Sequence, residues 1–289
     1  TGSYGTTLKA RVDYLTNVKG LFVLVEPHGA SSPNFIRYKG NLVGTPAVPN
    51  SAFADFWKKM ALLFKDNPRV LFGLGNEPNN IGTMQWYSAA QAGIDAIRST
   101  GATNFIFVCG NGWSQPSSWN DTWYDTSSTK TSNATGWATL KDSLGNTIVS
   151  VHTYFDTDGG GAATNIVSSD IIVQRLQPVV SWARSRGLKV HLSEFGCSAT
   201  ATGGQAAVDA TCKYIAANSD VLVGWSWWAY GPPAWWGGYQ FTLCPKNNYT
   251  TDDPKIAWLR PYMAPLQNPA DFGTAPAPTP TGSEPTAPI

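Results

Sequence analysis

Residues 70–78 read Val-Leu-Phe-Gly-Leu-Gly-Asn-Glu-Pro. The first part is apolar without alternation and of strand length, the pattern of a β-strand covered on both faces. It breaks into two polar side chains, Asn76 and Glu77, and then a proline, which cannot donate to a ladder. Residues 84–100 follow with apolar positions at helical spacing. A buried strand, a polar strand end and a helix make one βα unit.

The unit recurs on both sides. Strand-length apolar runs stand at 20–27, 104–109, 147–151, 188–192 and 221–228, and helical spacing marks 7–17, 51–66, 169–186, 204–218 and 254–264. Such alternation predicts a parallel sheet with crossover helices. No glycine fingerprint follows the first strand, which disfavours a dinucleotide fold, and one long series of βα units favours a (β/α)8 TIM barrel. Six strands are found where that barrel needs eight. The expectation is therefore an α/β chain folded as an incomplete (β/α)8 TIM barrel, its first two βα units missing. The strands at 20–27 and 221–228 should then be unpaired edges, and the chain a poorly stable fragment of a longer protein. Residues 1–268 are read as the folded domain and 269–289 as a tail. From Thr274 to Ile289 five of sixteen residues are proline, the composition of an extended linker.

Composition narrows the function. Charged residues are 13% of the 289, against roughly 25% in ordinary domains. The formal charge is +1, so no basic field exists to hold a nucleic acid. Thirteen Trp and eleven Tyr exceed what a core requires. Their rings stack on flat neutral faces while N–H and O–H groups bond polar rims, which suits a carbohydrate. No apolar run approaches the ~18 residues of a membrane span, and residues 1–20 lack the order of a signal peptide. H-E-x-x-H, paired C-x-x-C, P-loop and G-x-S-x-G motifs are absent from the sequence. Cys109, Cys197, Cys212 and Cys244 allow three disulfide pairings. Cys197 and Cys244 both follow strands on one side of the sheet, so theirs is the pairing to test. Sequons at Asn120, Asn133 and Asn248 accord with a secreted, extracellular protein.

Polar residues gather at the strand ends: His28, Asn76 and Glu77, Asn111 and Trp113, His152 and Tyr154, Glu194, then Trp227 and Trp228. In a barrel all these ends face one mouth, so groups far apart in sequence converge. Two carboxylates from different strands can then act on a glycosidic bond, one staying protonated and the other ionised.

Asn76-Glu77-Pro78, His152-Thr153-Tyr154 and Ser193-Glu194-Phe195-Gly196 resemble glycoside hydrolase family 5. Gly224-Trp225-Ser226-Trp227-Trp228-Ala229-Tyr230-Gly231-Pro232, with Trp235-Trp236, is similar to the last strand and loop of its endo-β-1,4-glucanases. Glu26-Pro27-His28, Arg37-Tyr38 and Phe56-Trp57 resemble its third strand and following helix, and the likeness runs over about residues 7–265. It implies a retaining cellulase, a monomer acting on a β-1,4-linked polysaccharide or oligosaccharide without cofactor or metal. By the same resemblance Glu77 is the general acid/base and Glu194 the nucleophile. Asn76 would bond the sugar 2-hydroxyl, Tyr154 would orient Glu194, His28 and His152 would line the site, and Trp228 would stack under the sugar. Trp113, Trp235 and Trp236 follow strands, where cleft walls form. Glu26 is read as structural, His191 as core by alternation, and Trp57 and Trp182 as packing.

The sequence departs from the family at two points. Gly29 stands where cellulases carry Asn, and the first two strands with the arginine ending the second have no counterpart; Arg11, in a helical stretch, cannot replace it. Weak activity of this chain by itself follows as an expectation. A mannanase or xylanase on the same scaffold, and a non-catalytic carbohydrate-binding barrel remnant, are the competing readings.

Overall fold

The computed structural model describes residues 2–28 and 36–263. Its strands in chain order are β1 (Val23–Val25), β2 (Arg37–Tyr38), β3 (Asn41–Leu42), β4 (Val70–Gly73), β5 (Ile106–Cys109), β6 (Thr147–His152), β7 (Val190–Phe195) and β8 (Leu222–Trp227). Its helices are α1 (Ser3–Asp13), α2 (Asn50–Phe64), α3 (Thr83–Arg98), α4 (Asn133–Trp137), α5 (Ile171–Arg184), α6 (Gly204–Ala217), α7 (Pro233–Trp236) and α8 (Lys255–Met263). All six strands read from the sequence are present, and they form one parallel sheet in the order β1-β4-β5-β6-β7-β8. The pairing of Val23 with Val70 and of Ile106 with Thr147 fixes the register along it. The antiparallel pair β2–β3 has no counterpart in the sequence reading; two-residue strands carry no periodicity. The first helix starts at Ser3 rather than at 7 and ends in a wide π-type turn over Tyr14–Val18.

Most of the core lies between the sheet and its helices. α2 buries Phe53, Trp57, Met60, Ala61 and Phe64, one stripe of the helix. Trp57 donates its indole N–H to the Leu74 carbonyl at 3.2 Å, and Trp86 of α3 donates to the Cys109 carbonyl at 2.8 Å. Two buried tryptophans thereby peg helices to the strand ends that carry the polar residues. Trp182 packs against Trp119 and Trp137. Trp57 and Trp182 are thus packing residues.

A smaller apolar group, Leu71, Phe107 and Ile148 with Leu24 and Val223 against it, sits apart from the main core. Leu24, Leu71, Phe107 and Val223 also line a cavity of about 460 Å³ that has residues of both edge strands, β1 and β8, in its wall. Among the described residues no strand lies beyond either edge. The sheet is an incomplete barrel, as the strand count requires. The tail from 264 onward, and Gly29, lie outside the described residues.

All four cysteines are free and buried, so the Cys197–Cys244 bridge is not made. Burial pushes the thiols of Cys197 and Cys212 up to about 12, which leaves them protonated and unreactive. Asn133 is equally inaccessible: its side-chain Oδ1 accepts from the Asn111 backbone N–H at 2.7 Å and its side-chain amide donates to the Asn111 carbonyl at 2.9 Å. Asn120 and Asn248 are exposed. No helix among the described residues is long and apolar enough to cross a membrane.

Asp142 gives the fold a pH dependence. Burial would raise its carboxyl, but the Arg98 fork, the Leu144 N–H and the Thr147 hydroxyl outweigh it and hold it at about 2. A carboxyl depressed in the fold contributes stability that is complete above the unfolded value of about 3.9 and is lost as pH falls toward 2. Together these partners of the carboxylate are worth about 2 kcal/mol by that linkage. Acid titration should destabilise the protein between pH ~4 and ~2, and Asp142→Asn should flatten that limb while lowering the melting temperature at pH 7. An unchanged acid limb in the variant would contradict the assignment.

Candidate active site

Glu77 follows β4 in a left-handed backbone conformation, φ +43°. A non-glycine residue there is strained and persists only where its surroundings hold it. Here the Asn79 side chain donates to the Glu77 carbonyl at 2.8 Å, and Arg37 of β2 donates to the carbonyls of Asn79 and Asn80 at 3.2 and 3.3 Å. Trp113 braces the same loop by donating its N–H to the Pro78 carbonyl at 3.1 Å. The hairpin and the loop after β5 therefore aim the carboxylate of Glu77.

Glu194 is presented differently. Strict alternation along β7 would place it with Leu192, which packs in the main core. The register slips between Leu192 and Phe195, and His152 pairs with Glu194 across a second irregularity. Such bulges re-aim side chains beside active sites. His191 lies against Phe107 in the smaller cluster and bonds Ser193 at 2.9 Å, so it is a core residue. Burial, then the charge of His152, pushes His191 down to about 4.

The two carboxylates meet around His152. Its Nδ1 lies 2.9 Å from Glu77 Oε1 and 3.5 Å from Glu194 Oε1, and the three ligand-type atoms are all within 4.8 Å of one another. Tyr154 donates its O–H to Glu194 Oε2 at 2.8 Å. Gly161, at φ +74°, makes room for that ring, because a Cβ there would stand 2.8 Å from it. Asn76 bonds His28 at 3.2 Å, and His28 lies flat on Trp228 at 4.7 Å. Trp236 meets Trp228 edge-on at 5.2 Å. Glu26 stands 3.9 Å from His28, consistent with a supporting role.

The electrostatics are those of a shared charge. Burial pushes the Glu194 carboxyl up and the Glu77 charge adds to this, while His152 and the Tyr154 hydroxyl pull it down; the balance leaves it raised. Burial would lower His152, but Glu194, Cys109 and Glu77 outweigh it and hold it well above the ordinary histidine range. His28 loses by burial and gains more from Glu26, Glu194 and Glu77, so it too is raised. Among the described residues no Arg or Lys pairs with Glu194, so its positive neighbours are the two histidines.

Glu77, Glu194, His152, Tyr154, Asn76, His28 and Trp228 are thus brought together from five strand ends. Trp236 joins them through Trp228, whereas Trp235 projects into solvent, four-fifths exposed, and Trp113 meets the loop of Glu77 through its backbone N–H on the Pro78 carbonyl. Asn111 is not part of it; its buried amide donates to Ile81 and Thr83. Asn79 is a supporting residue that no pattern in the sequence marks, and the bracing role of Arg37 could not be read from the motif that contains it. Among the described residues, the group able to hold a metal ion is Glu77, His152 and Glu194, which no spacing in the sequence announces.

A curled parallel sheet with helices outside and a carboxylate pair at the C-terminal strand ends defines the class: a barrel protein with its site at the mouth. The cellulase profile, glycosyl hydrolase family 5, matches residues 3–231, and the chain belongs to that family. It is 36% identical over 245 residues to Endoglucanase gh5-1 of Neurospora crassa, covering 84% of this chain and 57% of that protein. With Endoglucanase 1 of Robillarda sp. the identity is 32% over 260 residues, covering 88% and 62%. The chain thus spans about three fifths of the length of the curated relatives it matches. Among solved structures, an endo-β-1,4-glucanase from Xanthomonas axonopodis pv. citri superposes with a TM-score of 0.82 at 35% identity, over 91% of this chain and 78% of that one. XacCel5A in complex with cellopentaose gives 0.81 at 35% identity, over 90% and 79%.

Proposed function

We propose that the protein acts as a retaining endo-β-1,4-glucanase, an extracellular monomer that cleaves cellulose or related β-glucan by double displacement. One observation carries the mechanism: one carboxylate oxygen of Glu77 and one of Glu194 lie within 4.8 Å of each other, so the two carboxyl groups stand close together. Retaining pairs stand about 5–5.5 Å apart, whereas inverting pairs need roughly 6.5–9.5 Å to admit a water between them. Glu194 is the nucleophile: Tyr154 fixes Oε2, and Oε1, facing His152 at 3.5 Å, is the oxygen that attacks. Glu77, less buried, protonates the leaving oxygen and then activates water. His152 holds the charge between them. The β-1,4-glucan preference rests on relatives described as endoglucanases and on the neighbour bound to cellopentaose. Exposed sequons at Asn120 and Asn248 support secretion.

Reducing-sugar release on carboxymethyl cellulose, glucomannan and xylan tests the reading. Carboxymethyl cellulose should be cut fastest; faster release from glucomannan or xylan would move the assignment to a mannanase or xylanase, and binding of cello-oligosaccharide with no release to a carbohydrate binder.

Trp228, carrying His28 on its ring, forms the floor beside the scissile bond. A pyranose C–H face against indole is worth roughly 1–1.5 kcal/mol, so Trp228→Ala should weaken cellopentaose binding by about tenfold. Half-buried, it should leave the melting temperature within a few degrees. Unchanged affinity by calorimetry would return Trp228 to packing.

A further inference from the structure

Three donors of two kinds converge in this site. His152 Nδ1 is 2.9 Å from Glu77 Oε1 and 3.5 Å from Glu194 Oε1, and one donor atom of each residue lies within 4.8 Å of the others. A tetrahedral zinc ion with bonds of about 2.0–2.1 Å places neighbouring donors roughly 3.3 Å apart. Two of the three separations bracket that value, and the third, at most 4.8 Å, needs at most about 1.5 Å of approach from Glu77, the less buried carboxylate. Imidazole with two carboxylates is the donor set of borderline divalent ions, and His-and-Glu sites of this kind leave a fourth position for water.

The surroundings fit a ligand set better than a loose acidic cluster. Tyr154 donates to Glu194 Oε2 at 2.8 Å, so Oε1 is the oxygen left facing His152. A hydrogen bond of this kind orients a ligating carboxylate. The His152 backbone is fixed by its N–H bond to the Ser114 carbonyl at 3.1 Å, and its other ring nitrogen faces Cys109 Sγ at 3.9 Å. Nδ1 is therefore the nitrogen presented to both carboxylates.

We propose that the substrate-free site binds one divalent transition ion of the zinc class through His152 Nδ1, Glu77 and Glu194, and that the bound ion inhibits the protein. Binding displaces the Nδ1 proton to solvent and occupies oxygen lone pairs that both carboxylates use in hydrolysis. The inhibitory half rests on the function proposed above; the binding half does not. Magnesium and calcium, which demand six or more oxygen ligands, are not held by this set.

Calorimetric titration of the metal-free protein with zinc chloride tests binding directly. One equivalent should bind, Glu77→Gln and His152→Asn should each weaken it by about tenfold or more, and a hundredfold excess of magnesium should not displace it. Cobalt in place of zinc should give the visible absorption of a four-coordinate site. Melting curves on both variants check folding, and Glu77→Gln, at the less buried position, is the variant that decides if His152→Asn fails to fold. No saturable zinc binding, or zinc affinity unchanged in folded Glu77→Gln, would overturn the proposal. Glucan hydrolysis read in the same samples separates the two claims: zinc bound with no hydrolysis in the metal-free protein fells the glucanase reading and leaves the ion site standing.

Discussion

Glu194→Gln should lower kcat on soluble β-1,4-glucan by roughly 10⁴-fold or more, the scale at which losing a nucleophile is felt. Cello-oligosaccharide affinity should change little, because glutamine keeps the volume and the Tyr154 hydrogen bond. Glu194→Gly with azide should regain turnover and release a glycosyl azide of inverted configuration, since the small anion fills the space of the lost carboxylate. Activity of Glu194→Gln within twofold of the parent would remove Glu194 from the mechanism. The acid limb of activity follows from the same residue. Burial and Glu77 raise the Glu194 carboxyl, so on lowering the pH it takes up a proton before an ordinary glutamate would. The limb should therefore lie above pH ~4.3, the unperturbed value. His152→Asn, which removes a charge that pulls Glu194 down, should move the limb to higher pH.

Glu77→Gln should cost about 10²–10⁴ in kcat on cello-oligosaccharides, the range of general acid–base assistance. The loss should depend on the leaving group. A dinitrophenyl cellobioside departs without protonation, so its first step should be nearly unaffected and a glycosyl-enzyme should accumulate as a burst. Only the second step, where Glu77 activates water, is then slow. A uniform loss across both substrates would show that Glu77 acts through structure rather than as an acid. The geometry behind this prediction is local: a left-handed Glu77 held by Asn79, itself held by Arg37.

Much of the fold was legible because buried parallel strands leave continuous apolar runs. The run at 70–75 appears as β4 and that at 221–228 as β8, each shorter than its run by two residues. The open sheet was legible too, as a count of runs. What escaped is set by long-range geometry. Alternation predicts Glu194 on the face of Leu192, and the register slip that turns it inward has no sequence signature. The strand-end placement of Cys197 and Cys244 suggested a bridge, yet each thiol is buried separately. Nor does any spacing in the sequence show that His28 lies on the ring of Trp228. Trp235 and Trp236 are adjacent in sequence, but α7 turns one to solvent and the other to Trp228. The sequence pattern places residues at strand ends; packing decides which of them touch.

The most direct test of the central claim is to trap the covalent intermediate. The protein is incubated with a 2-deoxy-2-fluoro-cellobioside bearing a good leaving group, digested, and its labelled peptide identified by mass spectrometry. A retaining pair with Glu194 as nucleophile predicts one fluoroglycosyl adduct, on Glu194. An adduct on Glu77 or another residue, or leaving-group release with no adduct on any peptide, would contradict it.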